Sequence, residues 1–388
     1  MQEIFWLLLP VAAASGWWIA RRSAAVDCRE TSKMTSPAYF RGLNHLLNEE
    51  PDKAIDVFVQ LVEVDSETVE THLALGSLFR RRGEVERAIR IHQNLIARPA
   101  LSRDHRALAL LELGQDYMRA GLYDRAENLF IELKEMKMHV RRALENLRTI
   151  YQQEKDWRAC LRVARELEGL VPESLDLEEA HYYCELAQEA RARNEQDKAQ
   201  QYLKKAVLAN DECVRPVHMQ AELAIGQSKY KTAVKLLRRA AEKDCDYLPE
   251  VLPQIVECYR RLDQTDELKH YLADLINASP YTGVTLTMAD LICETEGEQA
   301  ASAFLGEQVA AHPSLQGVLK LIEINEALPD AQAARLLYRV KEYVQQLLAE
   351  RPDYQCVKCG FVANSIHWQC PSCRSWSTIR RQPEIGEK

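Results

Sequence analysis

The sequence predicts an all-α protein: a solenoid of about eight helix–turn–helix repeats, with an amino-terminal transmembrane helix and a small carboxyl-terminal metal ribbon. Three observations predict it: a residue spacing that recurs at intervals of about 34 positions, a charge-free apolar run at the amino end, and two C-x-x-C pairs at the carboxyl end. Composition agrees. Gly and Pro number 14 each in 388 residues, too few for a turn-rich β fold or a Gly-rich cofactor loop. Hydrophobic residues make up 47% and charged residues 28%, which argues against a disordered chain and against a polytopic membrane protein. A net charge of −8 makes the chain as a whole a poor non-specific binder of nucleic acid.

The apolar run is IFWLLLPVAAASGWWIA, residues 4–20, followed at once by Arg21 and Arg22. Spanning a bilayer takes about 17–25 apolar residues, so this run is at the short end. Trp6, Trp17 and Trp18 stand near its two ends, where indoles favour the water–lipid boundary. A cleaved secretory signal needs positive charge before the apolar run, but here Glu3 precedes it. Residues 1–22 are therefore expected to form a retained single-pass anchor. The paired Arg hold the following chain on the cytoplasmic side, with residues 23–35 as a linker. The seven Cys outside the carboxyl-terminal pairs (Cys28, Cys160, Cys184, Cys213, Cys245, Cys258, Cys293) are scattered and odd in number, which suits a reducing compartment.

Residues 36–350 carry the repeats. Gly42, Ala54 and Phe58 are separated by 12 and 4 positions, and so are Gly76, Ala88 and His92, and Gly114, Ala126 and Phe130. Small residues in both helices let two backbones cross closely, and the bulky residue fills the space below. An acid followed by a base (Asp52-Lys53, Glu86-Arg87, Asp124-Arg125, Asp197-Lys198) opens the second helix in four of the units, where an acid complements the helix dipole. Trp157 with Cys160 marks a fourth unit, Ala187 with Ala199 a fifth and Ala221 with Ala233 a sixth. Val256–Leu268 and Ala289–Ala301 are degraded copies. This pattern resembles the tetratricopeptide repeat, a 34-residue helix–turn–helix unit that stacks into a solenoid with a concave partner-binding face. The resemblance implies that first-helix positions away from the packing stripe line that face. Among them are Arg80, Arg119, Arg142, His181, Arg191, Arg215 and His218, a basic set suited to an acidic peptide or protein tail.

Residues 351–381 hold the metal motif. Cys356 and Cys359 form one pair, Cys370 and Cys373 the other, with ten residues between. Each pair grips one side of an ion from a tight turn, and together they complete a tetrahedron. Zinc and iron both accept four thiolates, and no coordination position is left for catalysis. Gly360 stands where the first turn must fold back, and Pro371 stiffens the second. The knuckles C-x-x-C-G and C-P-x-C resemble those of rubredoxin, with a much shorter stretch between them. His367 is expected to pack or hydrogen-bond beside the ligands. Phe361, Trp368 and Trp376 are expected to pack on the last repeats or on a partner. Lys358, Arg374, Arg380 and Arg381 have no acid among them, but four thiolates around a divalent ion leave −2 locally, and no nucleic acid is expected as a partner. Residues 382–388 form a tail.

No G-x-x-x-x-G-K-[ST], H-E-x-x-H, G-x-S-x-G or G-x-G-x-x-G occurs, so an enzyme is not expected. The order of parts is itself specific. With LLLPVAAASGWWIARRSA at the start, FRRRGEVERAIRIHQ and GQDYMRAGLYDRAENLF in the repeats, and CVKCGF and HWQCPSCRSWSTI at the end, the chain is similar throughout to the lipopolysaccharide assembly protein B family. That resemblance implies a non-enzymatic regulator on the cytoplasmic face of the inner membrane. It would restrain lipopolysaccharide synthesis by promoting degradation of the lipid A deacetylase LpxC by the membrane AAA+ protease FtsH. The alternative is a scaffold that gathers lipopolysaccharide synthesis or regulatory proteins without directing proteolysis.

Overall fold

A left-handed residue closes one hairpin turn after another. Gly83 and Gly121 have φ of 90° and 75°, and Asn194, Ser228 and Asp263 have φ of 59°, 57° and 55°. In each case the next backbone N–H reaches back to the last turn of the preceding helix: Glu84 to Phe79 and Leu122 to Tyr117 at 2.9 Å, Lys229 to Ala224 at 2.8 Å. This is how a helix ends when the chain must reverse at once; Gly takes the conformation without strain, and Asn and Asp tolerate it better than most residues with a Cβ.

The computed structural model describes residues 40–382 apart from 43, 46, 47, 49, 65–68, 279, 280, 326–330, 350 and 351. The expected anchor and linker, and all of the tail but Gln382, lie outside the described residues. Among the described residues no helix is long and apolar enough to cross a membrane.

Two compact bodies are present, the first ending at Asp156 and adding Gly169–Val171, the second holding the rest. The first contains α1 (Pro51–Val64), α2 (Val69–Arg82), α3 (Val85–Ile96), α4 (Arg103–Arg119), α5 (Tyr123–Glu135) and α6 (Val140–Glu154). The second contains α7 (Trp157–Leu167), α8 (Asp176–Ala192), α9 (Gln196–Ala209), α10 (Val214–Gly226), α11 (Tyr230–Lys243), a 3-10 turn (Cys245–Tyr247), α12 (Leu248–Arg261), α13 (Thr265–Ala278), α14 (Thr282–Glu296), α15 (Glu298–Ala311), α16 (Leu315–Ile324) and α17 (Ala331–Ala349). It ends in β1 (Tyr354–Cys356), β2 (Val362–Ala363) and β3 (Ile379–Arg381), an antiparallel sheet in the order β2-β1-β3.

Helix pairs α2/α3, α4/α5, α8/α9, α10/α11, α12/α13, α14/α15 and α16/α17 pack as hairpins. The predicted close crossings are there. A Cβ on Gly42 would lie 2.6 Å from Phe58 Cζ, one on Gly114 2.6 Å from Phe130 Cε1, and one on Gly76 2.4 Å from His92 Nε2. The second-helix residues Ala54, Ala88, Ala126, Ala199, Ala233 and Ala301 are all fully buried. The degraded copies keep the scheme with Leu268 and Leu272, and with Ala289, Ala301 and Leu305.

Three features differ from the expectation. The fourth predicted unit is divided, α6 falling in the first body and α7 in the second. One hairpin more is present than the spacing indicates: α16/α17, where Gly317 is followed twelve positions on by Pro329 instead of a small helix former. Finally, α17 runs to Ala349, although the sequence reads as a short linker from Gln345 to Pro352 leading into the ribbon.

Gly114→Ala is expected to lower stability by about 1–3 kcal/mol through overpacking against Phe130, despite the better helix propensity of Ala. Combining it with Phe130→Leu should recover part of the loss, because the two sites share one contact. Thermal melts of both variants check this; a Gly114→Ala chain that melts at or above the parent temperature contradicts the close crossing.

Candidate metal centre and its seat on the helices

The two C-x-x-C turns are built alike. Gly360 N–H donates to Cys356 O and Arg374 N–H to Cys370 O, both at 2.9 Å, so each knuckle folds back on its first cysteine. Gly360 has φ of 77°, as its position predicts, whereas the second knuckle puts Arg374 at φ of 59°. A Cβ makes that conformation cost about 1–2 kcal/mol. β1 carries Cys356, whose N–H donates to Phe361 O at 2.7 Å, and the Gln369–Trp376 bridge holds the second pair.

All four sulfurs lie within 4.8 Å of one another, with Cys356 to Cys373 at 3.7 Å and Cys359 to Cys370 at 3.6 Å. A tetrahedron with metal–thiolate bonds of about 2.3 Å has edges of about 3.8 Å, so the cage fits one ion of zinc or iron size. Burial opposes ionisation of Cys356, but Thr378 and the backbone N–H groups of Cys359 and Lys358 outweigh it and bring the thiol down to about 6. Backbone and side-chain contacts of Ser375 lower Cys373. Burial pushes Cys370 up to about 11. An ion here cross-links two turns through the four cysteines, and among the described residues no His, Asp or Glu joins their cluster. His367, expected beside the ligands, is exposed.

The ribbon sits on the second body through its aromatic and charged side chains. Trp376 stacks on His181 of α8 with centroids 4.7 Å apart and planes at 18°. Its edge meets Trp157 at 6.2 Å and Tyr182 at 6.1 Å. Trp368 packs on Tyr247 at 5.1 Å. Arg215 of α10 lies under both indoles, 5.6 Å from Trp368 and 6.0 Å from Trp376. Arg380 pairs with Asp244, and the Tyr354 hydroxyl donates to Glu250 of α12. Phe361 packs inside the ribbon itself. The tryptophans thus seat on α7, α8, α10 and the 3-10 turn, in the middle of the repeats and not at their end as the sequence suggested. A cleft of about 270 Å³ opens beside this seam, walled by Tyr247, Trp368 and His367.

Beneath the ribbon the polar groups form one network. Arg215 is 2% exposed and donates to Glu185 Oε1 at 2.7 Å and to Gln188 Oε1 at 3.2 Å. Its Nη1 approaches His181 Nδ1 at 3.5 Å. A guanidinium has only N–H to offer, so the imidazole proton sits on Nε2 and points to Ser377 Oγ, 2.7 Å away. Burial, then the Arg215 charge, push His181 down to about 3, so it is neutral at physiological pH. Burial also depresses His218, whose Nδ1 accepts from the Tyr247 hydroxyl at 2.8 Å.

The predicted basic groove therefore divides. His181, Arg215 and His218 are buried and engaged within the chain. Arg80 is held by Glu112 at 2.6 Å and Asp116 at 2.7 Å. Arg191 pairs with Glu222 at 2.5 Å and is partly exposed. Arg119 and Arg142 are exposed. Sequence reasoning missed the seam partners Trp157, Tyr182, Tyr247, Asp244, Glu250 and Ser377. The available signal was a surplus: a 28-residue ribbon with two Trp and four cations has more large side chains than its own interior can use.

Comparison with known proteins agrees with both parts. Residues 354–381 match a family described as rubredoxin metal binding domain, and residues 71–107 match the tetratricopeptide repeat. Lipopolysaccharide assembly protein B of Escherichia coli K12 is 38% identical over 382 residues, covering 98% of both chains. The Haemophilus influenzae protein of the same name is 35% identical over 391 residues, again covering 98% of each. Among solved structures, the Naa15/Naa10 assembly bound to HypK-THB is 13% identical, with 81% of this chain and 51% of that chain covered and a TM-score of 0.41.

The purified chain is expected to carry one ion, measured by elemental analysis, and Cys359→Ser with Cys373→Ser to carry almost none. The network also predicts a pH effect. His181 has a folded value of about 3 against about 6.5 unfolded, so between these values the unfolded chain binds more protons. Stability from the neutral ring is full above about pH 6.5 and is lost as pH falls toward 3. His181→Gln should melt with a shallower decline from pH 7 to 5 than the parent; parallel declines count against a buried neutral His181.

Proposed function

Because the chain belongs to the lipopolysaccharide assembly protein B family, we propose that it serves lipopolysaccharide assembly as a membrane-tethered adaptor that binds other proteins and catalyses nothing itself. The observation that carries this reading is the relationship over 98% of the chain, repeats and metal ribbon together. Stacked helical hairpins suit protein binding, since each pair adds surface without closing it off.

The adaptor brings the lipid A deacetylase LpxC to the protease FtsH at the cytoplasmic face of the inner membrane, so that synthesis is restrained when the deacetylase is abundant. Residues 1–22 are the tether. Confinement of adaptor and protease to one membrane raises their effective concentration without any new contact between them. Arg119 and Arg142, exposed on first helices, are the groove positions open to an acidic segment of a partner.

Deacetylase half-life in cells with and without the chain tests the reading. Loss of the chain should lengthen the half-life several-fold, and a chain lacking residues 1–22 should fail to restore rapid turnover while keeping its helical fold. An unchanged half-life would favour the scaffold that gathers biosynthetic enzymes without directing proteolysis. Arg119→Glu with Arg142→Glu should weaken co-purification of the deacetylase by about ten-fold or more, as expected when attraction becomes repulsion.

A further inference from the structure

The ribbon is too small to hold itself. Its strands have three, two and three residues, and its interior is Tyr354, Cys356, Cys370 and Ile379, two of which are ligands. A unit of this size buries too little apolar surface to fold unaided, so its shape depends on the ion. Trp368 stands two positions before Cys370, and Trp376 three after Cys373. The ion that sets the second knuckle thereby sets both indoles, and those indoles cover His181 and Arg215.

We propose that ion binding and the covering of α8, α10 and the 3-10 turn are one event, making the ribbon an ion-locked mask. Loaded, it withholds His181 and Arg215, which occupy positions that repeat arrays offer to partners. Without its ion, it lets go and that face is exposed to solvent.

Three features make the seam releasable. Arg215 Nε and Trp376 Nε1 are buried without a hydrogen-bond partner. Each gains one from water when the seam opens. The Arg215 charge, 2% exposed under the ribbon, regains hydration at the same moment. Finally, the cleft of about 270 Å³ beside Tyr247 and Trp368 gives solvent an entry along the edge. The seam therefore combines a large aromatic contact with built-in penalties that opening relieves.

The inference rests on the ion being resident and not on the adaptor role; none of its tests reads deacetylase turnover. The full-length chain in detergent is used throughout. Its metal content is measured first, and a chain purified without an ion would overturn the proposal. Hydrogen exchange is then compared before and after chelation. Peptides from α8 and α10 should exchange about ten-fold faster without the ion, while those from α4 and α5 should not change. Unchanged exchange in α8 and α10 overturns the mask. An equal rise in α4 and α5 also overturns it, because the ion would then support the chain at large. Trp368→Ala with Trp376→Ala should show the chelated pattern while ion is present. Weaker ion retention with that pattern carries the same meaning, since coupled equilibria are reciprocal. Full protection of α8 and α10 in this double variant would remove the indoles as the clasp and with them the proposal.

Discussion

Arg215 is the constraint on which the second body is arranged. It is the largest fully buried side chain among the described residues, and a guanidinium does not shed its charge in a protein. Burying it demands an anion, further acceptors and a lid of low polarity. Glu185 supplies the first, Gln188 and the His181 ring the second, and the faces of Trp368 and Trp376 the third. Glu185, Gln188 and His181 all lie on α8 and the two tryptophans on the ribbon, so α8, α10 and the ribbon must all be in place before the charge is compensated. Take the ribbon away and Arg215 becomes an ordinary arginine on an open helix face. The metal ribbon is thus part of the helical structure in an energetic sense, although it forms a separate sheet.

The first body uses charge differently. At the crossing where other units place Phe58 and Phe130, α3 has His92, whose ring fills the space against Gly76. Its Nδ1 lies 2.5 Å from Asp116 Oδ2, both side chains fully buried, and Asp116 also accepts from Arg80. The pairing joins α2, α3 and α4, and it is available only in one register of neighbouring repeats. A buried ionic network of this kind contributes little net stability, because desolvation offsets much of the attraction, but it disfavours slipped packing.

The parts of this structure that were legible in the sequence are those fixed by near neighbours. The cysteine cage follows from two spacings, and the Gly/Ala/Phe crossings follow from one repeated interval. The late repeats looked degraded because only side-chain size was followed. The left-handed turn residue was the better marker, passing from Gly83 and Gly121 to Asn194, Ser228 and Asp263 with the same backbone role. The basic groove was misjudged for a related reason. Arg80 meets Glu112 and Asp116, Arg191 meets Glu222, Arg215 meets Glu185, and Arg260 meets Glu294. Each pairing is about one repeat away in sequence, so counting cations on one helix overlooked the acid that a neighbouring unit brings alongside. The seat of the ribbon was out of reach altogether, because nothing near Trp368 or Trp376 in the sequence says which helix, more than a hundred residues earlier, they will cover.

These differences give the two bodies different uses for equivalent positions. In the second, the first-helix residues of α8 and α10 are committed to the chain's own carboxyl end, through contacts too buried for a partner to reach while the ribbon is seated. In the first, Arg119 and Arg142 remain exposed on helices of the same kind. A repeat array adds surface by duplication, so every unit starts with the same potential to bind. What distinguishes the units afterwards is occupancy, and here one body is occupied in cis by a ribbon whose fold depends on an ion. Recognition by the open units and ion binding at the carboxyl end are then separate properties of one chain, linked only to the extent that the covered units also have a partner to gain.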